Sequence, residues 1–127
     1  MKKILVVEDE LVIAMSTEMV LESEGFAVLL ATDGREGLAK AAAEKPDLII
    51  ADLMMPRMDG VTMSAQLRER GITAPIVLTT WIPETKVSSN SHRIFDAFLP
   101  KPFTDFELLA VVRRILDPTG SQAISNA

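Results

Sequence analysis

Asp52 is hard to explain as plain structure. It closes the apolar run Leu48-Ile49-Ile50-Ala51 and is followed by Leu53-Met54-Met55-Pro56. A short, near-continuous run of this kind reads as a strand buried on both faces. A carboxylate inside it without a partner is costly, so Asp52 belongs at the strand's mouth, where open α/β sheets bind their ligands. Other reactive residues sit at the ends of similar runs: Glu8-Asp9 after residues 4–7, Thr80 closing 76–80, and Lys101 shortly after 97–99. As neighbouring parallel strands, these runs bring three carboxylates, a hydroxyl and an ammonium to one sheet edge. Three carboxylates together raise one another's pKa. A hard divalent cation removes that repulsion, and Mg²⁺ (or Mn²⁺), with oxygen ligands and retained waters, suits them. With the metal in place Asp52 is a candidate nucleophile able to form an acyl phosphate. The metal, Lys101 and the Thr80 hydroxyl would then neutralise the oxygens of a transferring phosphoryl group.

The elements that must position these groups alternate along the chain. Residues 4–7, 26–31, 48–52, 76–80 and a short 97–99 read as strands. Residues 11–24 read as a helix ended by Gly25, and 60–70 as a helix followed by Gly71. An Ala-rich helix over 34–44 is opened by Asp33 with Glu36 in capping-box-like spacing, and Pro46 lies beyond its end. Thr104-Asp105-Phe106-Glu107 is a capping box, behind which Leu108, Val111, Val112 and Ile115 recur at helical spacing. The alternation predicts an α/β architecture, a doubly wound five-stranded parallel sheet with helices on both faces and right-handed crossovers. The weak place is 83–93. A helix is due there, yet Ser88-Ser89-Asn90-Ser91 has poor helix propensity and no apolar stripe, so a short, irregular or mobile element is expected. Pro118 should stop the last helix, leaving a domain over 1–117 and a small, polar, frayed tail over 118–127.

Composition narrows the function. A chain of 127 residues is one domain with a real core, and 48% hydrophobic with 24% charged residues suits a globular protein in water. The absence of Cys excludes disulfides, cysteine-ligated metal and thiol chemistry. A net charge of −5 without a Lys/Arg cluster argues against nucleic acid as a partner. The apolar run after Met1-Lys2-Lys3 stops at Glu8-Asp9-Glu10, too short for a signal peptide, and no run approaches a membrane span. The expectation is a soluble cytoplasmic domain. His92, the only histidine, lies in the weak segment and reads as a solvated surface residue rather than a phosphate carrier.

Taken together, the motifs resemble the response-regulator receiver domain of two-component signalling, over about residues 1–117. The likeness is carried by Glu8-Asp9 after the first strand, Asp52-Leu53-Met54-Met55-Pro56 followed by Met58-Asp59-Gly60, Thr80 closing the fourth strand, and Lys101-Pro102-Phe103. The resemblance implies a flavodoxin-like fold with strand order 2-1-3-4-5. It implies Asp52 as acceptor of a phosphoryl group from a histidine kinase or histidine phosphotransfer protein. Asp9 and Asp52 would be direct Mg²⁺ ligands, Glu8 would act through water, and the Met54 backbone carbonyl would complete the set. A cis peptide would join Lys101 to Pro102 and aim the ammonium inward. In the family's switch Thr80 moves toward the phosphoryl group and an aromatic residue of the fifth strand, here Phe98, packs into the vacated space; plain core is the other reading of Phe98. The expectation is a stand-alone, chemotaxis-regulator-like receiver, monomeric or weakly dimeric, that switches a downstream protein or relays phosphate and is not a turnover enzyme.

Several residues depart from that pattern. Trp81 follows Thr80, where receivers usually carry a small residue, so it can roof the site or swing with the switch. Ile94-Phe95 replaces the common Gly-Ala before the fifth strand. Met54 and Ile82 occupy positions that influence hydrolysis of the phosphoryl group in this family; both are apolar and cannot orient water, so slow autodephosphorylation is expected. Leu11, Val12, Ile13, Met15, Met19, Val20 and Leu21 spread around the first helix, more than one core stripe needs. Receivers commonly meet their phosphodonors near this helix. Two rivals stand beside this reading. One is a phosphorylation-independent interaction module whose site Trp81 occludes. The other is an enzyme on a similar fold, an Mg²⁺-dependent phosphatase or a flavin or nucleotide binder. Glu8-Asp9-Glu10 stands where a nucleotide binder's Gly-rich phosphate loop belongs, and Met54 offers no second acid to protonate a phosphatase's leaving group.

Overall fold

The computed structural model describes residues 1–86 and 94–117. Its strands are β1 (Lys3–Val7), β2 (Ala27–Ala31), β3 (Leu48–Asp52), β4 (Ile76–Thr80) and β5 (Ala97–Pro100). Its helices are α1 (Leu11–Ser23), α2 (Gly34–Glu44), α3 (Gly60–Glu69) and α4 (Asp105–Leu116). All strand pairs are parallel, in the order β2-β1-β3-β4-β5. This is the doubly wound sheet expected from the alternation of elements, in the flavodoxin-like strand order that the resemblance implies.

Strand periodicity divides the core in two. Successive side chains of a strand point to opposite faces, and in β1 and β3 both faces are apolar. Leu5, Val7, Ile49 and Ala51 pack with Leu38 and Ala41 of α2 and Met63 and Leu67 of α3. Ile4, Val6, Leu48 and Ile50 face the other way, onto Leu21 of α1 and Leu108 and Val112 of α4. Every residue of β3 and of β4 is buried. The edge strands β2 and β5 are mostly half-buried.

Helix ends follow their sequence signals. After α1 and α3 the chain turns through Gly25 (φ 92°) and Gly71 (φ 78°), a left-handed conformation that glycine adopts without Cβ strain. The bonds are the same at both ends. Gly25 N–H reaches Glu22 O and Phe26 N–H reaches Leu21 O; Gly71 N–H reaches Arg68 O and Ile72 N–H reaches Leu67 O. These are Schellman caps. Phe26, expected in the second strand, is spent on the first of them and lies just before β2. Thr104 and Glu107 form the full capping box of α4. At α2, Asp33 accepts the Glu36 N–H, but the Glu36 carboxylate reaches Thr32 N–H, one residue before the cap, so the box there is a variant.

Between β4 and β5 the described residues include a 3₁₀ turn at Glu84–Lys86. The rest of the segment expected to be irregular, 87–93 with His92, lies outside the described residues, as does the expected tail 118–127. Among the described residues no helix is long and apolar enough to cross a membrane.

Candidate functional site

The sheet delivers its reactive groups to one edge through strand register. Glu8 follows β1, and its N–H donates to Ala31 O, extending the ladder to β2. Asp52 ends β3 and Thr80 ends β4. Lys101 follows β5; its N–H donates to Thr80 O at 2.8 Å, and its peptide bond to Pro102 is cis. All four residues are buried.

Lys101 Nζ lies 2.7 Å from Glu8 Oε1, 3.1 Å from Asp52 Oδ2 and 3.9 Å from Glu10 Oε1. The free oxygens are also occupied. Glu8 Oε2 accepts Glu10 N–H at 3.1 Å, and Asp52 Oδ1 accepts Met54 N–H at 3.3 Å. Burial pushes the Glu8 carboxyl up to about 7, against the lowering effect of Lys101 and the Glu10 N–H and with help from the Asp52 charge. Burial also works against the Lys101 ammonium, but Glu8 and Asp52 outweigh it and hold its pKa above the ordinary value. The Thr80 hydroxyl accepts Ile82 N–H at 3.1 Å.

The acidic set differs from the sequence expectation at one member. Oxygens of Glu8, Glu10 and Asp52 lie within 4.8 Å of one another; Asp9, expected as a direct metal ligand, is not among them. Glu8 and Glu10 are two residues apart and turn to the same side as the chain leaves β1, while Asp9 turns away and is exposed. Asp9 lines a neighbouring cavity of about 570 Å³ with Leu53, Met54, Met55 and Ile82, so it stays beside Met54, the other expected ligand residue. The donor set fits a hard divalent cation. It is all oxygen, and its three carboxylates outnumber the one ammonium that faces them.

Trp81 is 57% exposed and leans toward the Lys101 side. Its Nε1–H donates to Glu10 Oε1 at 3.4 Å, and its ring centroid is 5.8 Å from Lys101 Nζ, within cation–π range. The ring thus lies beside the lysine and is held there by Glu10. Phe98 is half-buried on β5, in register with Leu78. On α1, Leu11, Val12, Met15 and Met19 are exposed, while Ala14, Thr17 and Leu21 form the buried stripe.

The sequence matches the profile of the response regulator receiver domain over residues 4–113. The chain belongs to that family. Receiver domains are phosphorylated on an aspartate in two-component systems and bind Mg²⁺ at an acidic pocket. The chain is 40% identical over 116 residues to the alkaline phosphatase synthesis transcriptional regulatory protein PhoP of Bacillus subtilis (strain 168), a match covering 91% of this chain and 48% of that protein. This receiver domain thus spans about half the length of the curated relatives it matches. Among solved structures, the receiver domain of Francisella response regulator 1452 superposes with a TM-score of 0.86 at 29% identity, covering 94% of this chain and 99% of that one. The response regulator TrrA of Thermotoga maritima, solved in complex with Mg²⁺–BeF, gives 0.83 at 32%, covering 91% and 99%.

Two features escaped the sequence reading. One is Glu10 as the partner of Trp81. The other is an ion pair between Asp33 and Arg57 beside the loop after β3; these residues are 24 apart in sequence, and no local motif links them.

Proposed function

We propose that this receiver domain accepts a phosphoryl group on Asp52 from the phosphohistidine of a histidine kinase or histidine phosphotransfer protein, with Mg²⁺. One observation carries the reading: buried Asp52 lies 3.1 Å from a buried ammonium that also grips Glu8 at 2.7 Å. A carboxylate oxygen of Asp52 attacks phosphorus, a P–O bond forms, the P–N bond to the imidazole breaks, and the imidazole leaves with the bonding electrons. What a bound Mg²⁺ supplies is neutralisation of the phosphoryl oxygens and of the acidic cluster. Asp9, Asp52 and the Met54 carbonyl would hold it directly and Glu8 through water; that Asp9 and Met54 line one cavity supports this set. Lys101 exchanges part of its grip on Asp52 for a phosphoryl oxygen, and Thr80 donates its hydroxyl proton to another. TrrA's complex with Mg²⁺–BeF supports the same chemistry here.

In this reading the domain is a phosphoacceptor rather than a turnover enzyme. It works in the cytoplasm, where Thr80, Phe98 and Trp81 report the phosphoryl group to a protein partner, with neither nucleic acid nor membrane at this surface. Incubation with acetyl phosphate and Mg²⁺, followed by intact-mass measurement, should show one added phosphoryl group that Asp52→Asn abolishes. Phosphate-ester turnover that survives Asp52→Asn would overturn the proposal. Trp81 fluorescence indifferent to Mg²⁺ and to beryllofluoride, with no phosphorylation, would point instead to a constitutive interaction module.

A further inference from the structure

We propose that Arg57 is a positioning residue for the metal-binding loop, acting through its ion pair with Asp33; this rests on the proposed roles of Asp52 and the Met54 carbonyl. The loop from Leu53 to Asp59 joins β3 to α3 and is closed at its root. Gly60 N–H donates to Leu53 O at 2.9 Å, and a Cβ at Gly60 would stand 2.4 Å from Asp52 O. At its tip the backbone doubles back sharply. Met58 N–H donates to Pro56 O at 2.7 Å across Arg57, whose φ is 67°. A bond from i to i+2 around a residue of positive φ is the rarer, strained form of the γ-turn.

Glycine adopts positive φ freely. A side-chain-bearing residue there is strained and persists only where its surroundings hold it. Here the side chain supplies the hold. Arg57 Nε and Nη2 both reach Asp33 Oδ2, at 2.7 and 2.6 Å, while Asp33 Oδ1 caps α2 through Glu36 N–H at 2.9 Å. The Asp33 side chain is only 8% exposed, and the Glu36 N–H, then Arg57, hold its carboxyl below the ordinary value. A second contact lies one residue further on. Gly34 N–H donates to Met58 O at 3.2 Å, and a Cβ at Gly34 would stand 2.3 Å from that oxygen. The N-terminus of α2, itself packed on β1 and α3, thus grips the loop at two consecutive residues. Met54 lies between the closed root and the gripped tip, so the direction of its carbonyl is set from both ends.

A purely conformational role for position 57 and a positioning role predict opposite results for Arg57→Gly. Glycine relieves the strained backbone and removes the tether. The experiment is calorimetric titration of the unphosphorylated 127-residue chain with Mg²⁺, with thermal unfolding in EDTA as a fold control. The expected result is an affinity about tenfold weaker for Arg57→Gly, on the scale of losing a partner that orients a metal ligand. Asp33→Asn, which keeps the helix cap, should weaken Mg²⁺ similarly, and the double variant should be no weaker than either single one, because they remove the same contact. Arg57→Lys should recover most of the loss. Wild-type affinity in a folded Arg57→Gly, or simple additivity in the double variant, would overturn the inference. A wild-type chain that binds no Mg²⁺ would overturn the underlying metal assignment, and is distinguished because the parent itself fails.

Discussion

The two sides of Asp52 are built differently. Toward β5 and α1 the charges are closed on one another: Lys101 is held by Glu8 and Asp52, and Trp81, tethered to Glu10, leans over it. Toward α3 it is open: Asp9 is exposed and shares a wide cavity with Met54 and Ile82. The closed side satisfies charge internally, with one ammonium serving several carboxylates. The open side has space and a carboxylate without that ammonium, which is what a cation and an incoming phosphodonor require. Two acids adjacent in sequence therefore take different tasks, Glu8 inside and Asp9 at the mouth.

That contrast is sharpest in Mg²⁺ binding. Asp9→Asn should weaken Mg²⁺ about a hundredfold, as befits loss of a direct ligand, whereas Glu10→Gln should change it less than about threefold, the scale of one exposed hydrogen bond. Calorimetric titration of the two variants compares them, and the reverse ranking would move the metal to the closed side. The next effect concerns phosphoryl lifetime. With Met54 and Ile82 both apolar at the open mouth, neither side chain can orient an attacking water, so autodephosphorylation should be slow. Met54→Asn with Ile82→Glu should speed it about tenfold, below the usual range for a placed acid–base group. Loss of phosphate followed by intact mass measures this, and an unchanged rate would count against the open side as the path of water. The smallest effect belongs to the roof: Trp81→Ala should raise the rate of phosphorylation by acetyl phosphate by about threefold, since it breaks one exposed bond to Glu10.

Much of this was legible in the sequence because local rules and the fold agree. The apolar runs of β1, β3 and β4 are continuous because both faces of those strands are covered. Gly25, Gly71 and the Thr104–Glu107 box stop or start helices where they should. Asp52, Thr80 and Lys101 could be placed together because parallel strands end at one edge. Phe26 falls one residue outside its expected strand, because its N–H closes a helix cap instead of joining the ladder. What stayed hidden depends on side-chain direction after the regular element ends. Beyond Val7 no strand periodicity dictates whether Asp9 or Glu10 turns inward. The tie between Asp33 and Arg57 crosses two elements and depends on a backbone angle that Pro-Arg-Met does not announce.

The Thr80 hydroxyl holds the Ile82 amide at 3.1 Å. Were Thr80 to swing toward a phosphoryl group on Asp52, as the proposed switch has it, the Ile82 N–H would have to find another acceptor. Ile82 stands at the outset of the run into the 3₁₀ turn at Glu84–Lys86. A change at a single acceptor atom is thereby passed to the backbone of the β4–β5 connection without a charge having to move through the sheet, and solvent exchange of one amide proton becomes a local clock for the state of the site.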